Sequence, residues 1–204
     1  MIYIVGIGPG SKDYILPKAI NTFKNSDIVL AFERAYESLE FLDINLKLVK
    51  NFSQIKDQII YKSDKNIAIA ASGDPCFYGI NEYIKNNFSG DIEVIPGLSS
   101  FQYLCSKLGI SWQNAYLSSL HGRSSDLIGT VKKYQTSIWL TDKVNTPDNI
   151  CKLLVNNEIT AKVYVGENLS YEDELITIGT PEEIASKKYS SLSVVIIEVL
   201  EGEN

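Results

Sequence analysis

The residues best placed to do chemistry first appear in YIVGIGPGSKDYI, where Gly6, Gly8 and Gly10 surround Pro9 directly after an apolar run. Glycines at a strand end let a ligand approach the main chain closely. Two phosphate-binding templates can be tested by counting. G-x-G-x-x-G, started at Gly6 and Gly8, needs a glycine where Ser11 stands, and G-x-x-x-x-G-K fails at the same Ser11 although Lys12 follows. Pro9 also removes one N–H donor from any phosphate cradle. The loop is therefore expected to hold its ligand by something other than phosphates.

The elements that must position this loop alternate regularly. Apolar runs at 2–7, 27–32, 65–72 and 91–97 read as strands, and 17–26, 33–42, 80–88 and 99–110 read as helices, with Pro17 in a first turn. Short Ile- and Val-rich strands between helices predict a parallel sheet covered on both faces. From about Trp112 the scheme repeats less cleanly. Strands are expected at 115–120, 136–142, 161–168 and 191–200, and helices at 145–157 and 181–188. The last strand is expected to run antiparallel as a closing edge. The fold class is thus α/β, with two sequential α/β subdomains, 1–111 and 112–204, and a cleft between them.

Bulk properties narrow the class further. The chain has 204 residues, 45% of them hydrophobic and 22% charged, which suits a soluble enzyme-sized protein with a substantial core. No apolar run is long enough to span a bilayer, and the first residues lack a basic region and cleavage site. Cys76, Cys105 and Cys151 have neither metal nor redox spacing, which predicts a reducing cytoplasm. The net charge of −6 argues against a nucleic-acid surface, so an anionic substrate would need locally placed cations.

Ligands of open α/β sheets bind beyond the carboxyl ends of the strands. Seven expected strand ends carry GIGPG, FER, SGDP, PGLSS, LHGR, TDK and GENLS. Turn-forming residues are common in any loop. Seven small, polar or charged loops on a shared sheet edge are more than connections require.

GIGPG, SGDPCFYG (72–79) and IPGLSS (95–100) resemble the tetrapyrrole (corrin/porphyrin) methyltransferases over essentially the whole chain. The resemblance implies S-adenosylmethionine held between two α/β domains. ERAYESL, SLHGR, LTDKVNTPDNI and ENLSYEDE are similar to the branch that methylates C5 of cobalt-precorrin-7, giving cobalt-precorrin-8, in cobalamin biosynthesis. The other readings are a methyltransferase of the same fold acting elsewhere on the ring or on a diphthamide precursor, and a ligand-binding protein without catalysis. Family members carry Leu-Thr at the start of the first helix. Here Leu16 stands where the threonine is usual, so a hydroxyl cap worth about 1 kcal/mol is missing.

By this resemblance Pro9, Gly73, Asp74, Phe77, Ser99, Ser100, Leu140, Asn168 and Leu169 fall on cofactor-contacting positions. Asp74 would attract the donor's positive charge or accept from its amine or ribose, and Ser99 and Ser100 would offer hydroxyls and free N–H groups at a helix start. Gly8, Gly10, Arg34, His121 and Arg123 fall on the substrate side. The acceptor would be a corrinoid ringed by carboxylates, which arginine binds better than lysine. Only two arginines stand against seventeen lysines, and both lie in expected strand-end loops. Methyl transfer mainly needs alignment and exclusion of water. A proton must still leave the ring, and Asp142, His121 or a substrate carboxylate could take it; the sequence does not choose. His121, the only histidine, is not expected to bind a metal. The resemblance further implies a homodimer and a separate protein for C15 methylation and decarboxylation.

Overall fold

The computed structural model describes residues 1–61, 64–122 and 126–200. Among the described residues ten strands and eight α-helices follow one another, beginning with β1 (Ile2–Gly6), α1 (Pro17–Lys24), β2 (Ile28–Ala31), α2 (Glu33–Glu37), β3 (Leu46–Leu48), α3 (Phe52–Tyr61), β4 (Ile67–Ala71), α4 (Asn81–Asn87), β5 (Ile92–Ile95) and α5 (Ser100–Leu108). The order continues with β6 (Tyr116–Ser119), α6 (Leu127–Lys133), β7 (Thr136–Leu140), α7 (Pro147–Asn156), β8 (Ala161–Glu167), β9 (Leu175–Gly179), α8 (Pro181–Ala185) and β10 (Ser193–Val199).

The first sheet has the order β3-β2-β4-β1-β5 and is parallel throughout. Its central strands are buried on both sides, and alternate residues serve two separate cores. Val5, Val29, Ala31, Ala68 and Ala70 face one way, against Ala19 and Phe23 of α1 and Ala35 of α2. Ile2, Ile4, Ile28, Leu30, Ile67 and Ile69 face the other way, against Ile55 of α3 and Ile84 of α4. A strand used on both faces reads as a continuous apolar run, which is how the sequence presents these segments.

The second sheet has the order β6-β7-β10-β8-β9. Only β6 and β7 pair in parallel; β10 is antiparallel to both β7 and β8, and β8 is antiparallel to β9. The expectation of an antiparallel closing edge needs correcting. The direction agrees, but β10 is the middle strand, and Ser193–Ile197 are buried because two neighbours and both sheet faces cover them. Trp139, Val163, Val165, Val195 and Ile197 pack against Val131 of α6, Ile150 and Leu154 of α7, and Ile184 of α8.

The described residues group into two units, 1–100 and 101–204, each with its own sheet, where the sequence placed the division after 111. Helix α5 accounts for the difference. A Cβ at Gly166 on β8 would lie 2.9 Å from Leu104 Cδ1, and Phe101 meets Trp112 edge-on at 5.3 Å. The helix therefore packs on the sheet that follows it. The α/β class with two sequential units agrees with the sequence reading. The seven chemical loops, expected on one edge, are shared between two sheets: four end strands of the first and three end β6, β7 and β8.

Candidate active site

The first unit gathers its loops by close backbone contact. β1, β4 and β5 are adjacent and parallel, so their carboxyl ends reach the same edge. Gly8 and Gly73 form an isolated antiparallel bridge there, with Gly8 N–H donating to Gly73 O at 3.3 Å and Gly73 N–H donating to Gly8 O at 2.8 Å. Gly8 holds φ +78°, a conformation that disfavours a side chain. Gly97 closes the cluster from β5. A Cβ on it would lie 2.2 Å from Gly73 O and 2.9 Å from the Gly6 carbonyl carbon, so any side chain would collide with backbone. Glycine at these positions is what lets the three backbones touch, with Pro9 half-buried beside them and Gly10 buried.

Asp74 fastens this arrangement. One carboxylate oxygen accepts the N–H of Cys76 at 2.8 Å and the other accepts the N–H of Gly97 at 3.1 Å. Both the turn after β4 and its junction with the turn after β5 rest on this side chain. Asp74 was expected to face a ligand. It organises the loops as well, and its charge stays at their meeting point. Phe77 donates its N–H to Asp74 O at 3.2 Å and meets Tyr78 edge-on at 5.0 Å. Ser99, buried, brings its Cα within 3.8 Å of the Cβ position of Gly73, and Ser100 opens α5. The structure therefore brings Gly8, Gly73, Asp74 and Ser99 together.

The donor set of this cluster favours a particular ligand chemistry. Residues 6–10, 72–77 and 96–100 contain no lysine or arginine, and their one formal charge is the Asp74 carboxylate. Backbone groups plus one anion suit a ligand with a cationic centre, an amine and hydroxyls. They do not suit a bare phosphate.

Arg34 lies apart from the glycines, in α2 just beyond β2, and is exposed. It lines a cavity of about 400 Å³ together with Phe32, Glu33, Lys50 and Ser72. Lys50 was not among the residues singled out from sequence. Its one signal there was a position close after an apolar Leu-Lys-Leu-Val stretch, too short to stand out as a strand.

The second unit builds a separate polar cluster where β6, β7 and β8 end. Leu120 N–H donates to Leu140 O at 2.9 Å, joining the turns that follow β6 and β7. His121 is exposed, and its Nδ1 lies 3.4 Å from Thr141 O. Asp142 accepts from the N–H groups of Asn145 at 2.6 Å, Val144 at 2.9 Å and Gly122 at 3.0 Å. The Asn145 and Gly122 N–H groups contribute most to lowering its pKa to about 2. A carboxylate held that low is a weak base. Asp142 serves the turn, and a proton-accepting role gains no support from its surroundings. Arg123 lies outside the described residues.

Asn168 and Leu169 follow β8. Asn168 adopts φ +44°, donates its N–H to Leu192 O at 3.1 Å, and exchanges side-chain bonds with Asp173 and Ser190. Thr141 donates both its N–H and its hydroxyl to Ser193 O, so the β7 and β8 ends converge on Leu192 and Ser193, where β10 begins. Leu169 is buried, and a Cβ on Gly166 would fall 2.7 Å from its Cδ2; its side chain packs inward and leaves its main chain for any ligand contact. The sequence reading also passed over Glu174. Partial burial would raise its pKa, but hydrogen bonds from Tyr103 and the Ser170 N–H, with the charge of Lys107 3.4 Å away, lower it instead. It sits in ENLSYEDE, a stretch already quoted, but only the fold places α5 beside it.

Among the described residues no three His, Cys, Asp or Glu side chains form a metal-holding group, and no helix is long and apolar enough to cross a membrane. The family model described as Tetrapyrrole (Corrin/Porphyrin) Methylases matches residues 1–185. A Methanocaldococcus jannaschii protein named probable cobalt-precorrin-7 C(5)-methyltransferase is 38% identical, with 97% of this chain and 98% of that protein covered. The crystal structure of a cobalamin biosynthesis precorrin-6Y methylase from Archaeoglobus fulgidus superposes with a TM-score of 0.78 at 21% identity, covering 98% of this chain and 99% of that one. A uroporphyrin-III C-methyl transferase from Thermus thermophilus complexed with S-adenyl homocysteine gives a TM-score of 0.78 at 20% identity, covering 97% of this chain and 96% of that one.

Proposed function

Because this chain belongs to the tetrapyrrole (corrin/porphyrin) methylases, we propose that it methylates a corrinoid ring carbon in cobalamin biosynthesis, with S-adenosylmethionine as donor. The specific reaction is C5 methylation of cobalt-precorrin-7 to cobalt-precorrin-8. The observation that carries this reading is the end-to-end match to the cobalt-precorrin-7 relative at 38% identity.

When bound, S-adenosylmethionine supplies a methyl group on a positively charged sulfur, ready for an electron-rich ring carbon. What the residues do is hold and align. In the first unit Gly8, Pro9, Gly73 and Ser99 present main chain at close range, and Asp74 keeps those loops in register while contributing negative charge toward a cationic ligand. Phe77 and Ser100 stand at the borders of the same loops. In the second unit Leu140, Asn168 and Leu169 offer main chain at strand ends. Gly8, whose bridge to Gly73 puts it at the edge of the donor loops, is assigned to the acceptor together with Gly10, Arg34, His121 and Arg123. His121, whose Nδ1 faces a carbonyl, is the better placed of the two candidate proton acceptors, since Asp142 is held far too acidic.

On this reading the protein acts in the cytoplasm as a homodimer, and a separate protein carries out C15 methylation and decarboxylation. The exposed Leu175 and Ile178 of edge strand β9 support a two-fold contact, because they would be covered by a second copy. The test is incubation of the purified protein with methyl-labelled S-adenosylmethionine and cobalt-precorrin-7. One labelled methyl at C5 is the expected product. Label at another ring position, or on a diphthamide-precursor protein alone, would reject the assignment.

A further inference from the structure

We propose that the cavity beside α2 is a carboxylate pocket for one side arm of the anionic acceptor, and that Lys50 is a specificity-determining cation within it. The proposal deepens the functional reading above and rests on it.

The fold itself brings the two cations together. Arg34 follows β2 by three residues, and Lys50 follows β3 by two. β2 and β3 are paired in parallel, and their pairing continues past the last ladder residue as Val49 N–H donates to Ala31 O at 2.9 Å. Neighbouring strands thus deliver Arg34 and Lys50 to the same end of the sheet. The backbone of Lys50 is fixed further, since its N–H donates to Gln54 Oε1 at 2.8 Å while Gln54 N–H donates to Asn51 Oδ1 at 3.0 Å. The side chain is left out of this capping arrangement. No ion pair among the described residues engages Arg34 or Lys50.

The remaining walls fit an organic acid. Ser72 adds a hydroxyl and Phe32 an apolar surface, and Glu33 is the one anion at the wall, leaving the lining cationic overall. Ser72 also connects this cavity to the glycine cluster, because the next residue is the Gly73 that bridges to Gly8. At about 400 Å³ the space lies near the lower end of the roughly 300–1,000 Å³ usual for small-molecule sites. A whole macrocycle does not fit it, but an acetate or propionate arm does. An arginine fork and a lysine point charge around one carboxylate give both direction and charge.

The test compares wild type with Lys50→Ala, Lys50→Arg and, as a control, Lys47→Ala, which removes an exposed lysine from β3 outside the cavity. Binding is measured for a corrinoid with free carboxylate arms and for its methyl ester, alongside S-adenosylhomocysteine. Lys50→Ala should weaken binding of the free acid about tenfold, the loss of one charge-assisted contact. Ester and S-adenosylhomocysteine affinities should stay within about twofold of wild type. Lys50→Arg should recover most of the loss, and Lys47→Ala should show none. Wild type that binds acid and ester equally overturns the pocket. So does Lys50→Ala with an undiminished preference for the acid, or Lys47→Ala with an equal loss. Failure of the functional reading would appear elsewhere, as wild type that yields no methylated cobalt-precorrin-7.

Discussion

At the scale of single residues, the carboxylates in this protein spend much of their hydrogen-bonding capacity on backbone. Asp74 and Asp142 each tie together two strand-end turns, in different units, by accepting main-chain N–H groups. Asp142 gives a pH prediction. Its pKa falls from an ordinary 3.8 to about 2 in the fold, so its contribution to stability is fully present above pH 4 and is lost as pH falls toward 2. Urea unfolding should find Asp142→Asn less stable than wild type at pH 7, with the gap closing between about pH 4 and pH 2. A gap that stays constant over that window would mean that the carboxylate charge plays no part in holding the turn.

At the scale of elements, helix α1 starts with a defect that can be repaired. Leu16 is its N-cap, makes no side-chain cap bond and is 40% exposed, while Pro17 occupies the first helical position. Thr180 at the start of α8 shows the alternative, a full capping box with Glu183. Leu16→Ser should therefore raise stability by about 0.5–1 kcal/mol, a gain of about 1–4 °C in melting temperature for a chain of this size. Thermal unfolding followed by circular dichroism measures it; an unchanged or lower midpoint would show that Leu16 packing outweighs the missing hydroxyl. The same elements show what was readable in the sequence. β1, β2, β4 and β5, and most of the strands after residue 112, announced themselves because burial on both faces demands unbroken apolar runs. β3 did not, since a three-residue edge strand with Lys47 and Leu48 exposed carries no such run. β9 buries none of its five residues fully and leaves Leu175 and Ile178 exposed, and α3 buries only Ile55 fully, so both looked polar or irregular. The glycine and Asp74 loops were legible because their residue types are forced by backbone proximity. Lys50 was not, because what distinguishes it is a neighbour brought close by strand pairing.

At the scale of the whole molecule, the two sheets are completed at very different points along the chain. Every strand of the parallel sheet has been made once Ile95 is in place, whereas the other sheet lacks its middle member until Ser193–Val199 arrives. A version ending at Leu192 should resist limited proteolysis across 1–100 and be cut rapidly beyond that, as mass mapping of the fragments would reveal. Uniform protection of the shortened chain would contradict this. During synthesis at about 5–20 residues per second, the first sheet can form some ten seconds or so before the second has all its parts. Once β9 has been made and until β10 follows, β6–β7 and β8–β9 wait as two ribbons with apolar edges unpaired, the period when a nascent chain is most open to chaperones or to aggregation. β10 pairs with one strand of each ribbon, β7 and β8, and so joins them.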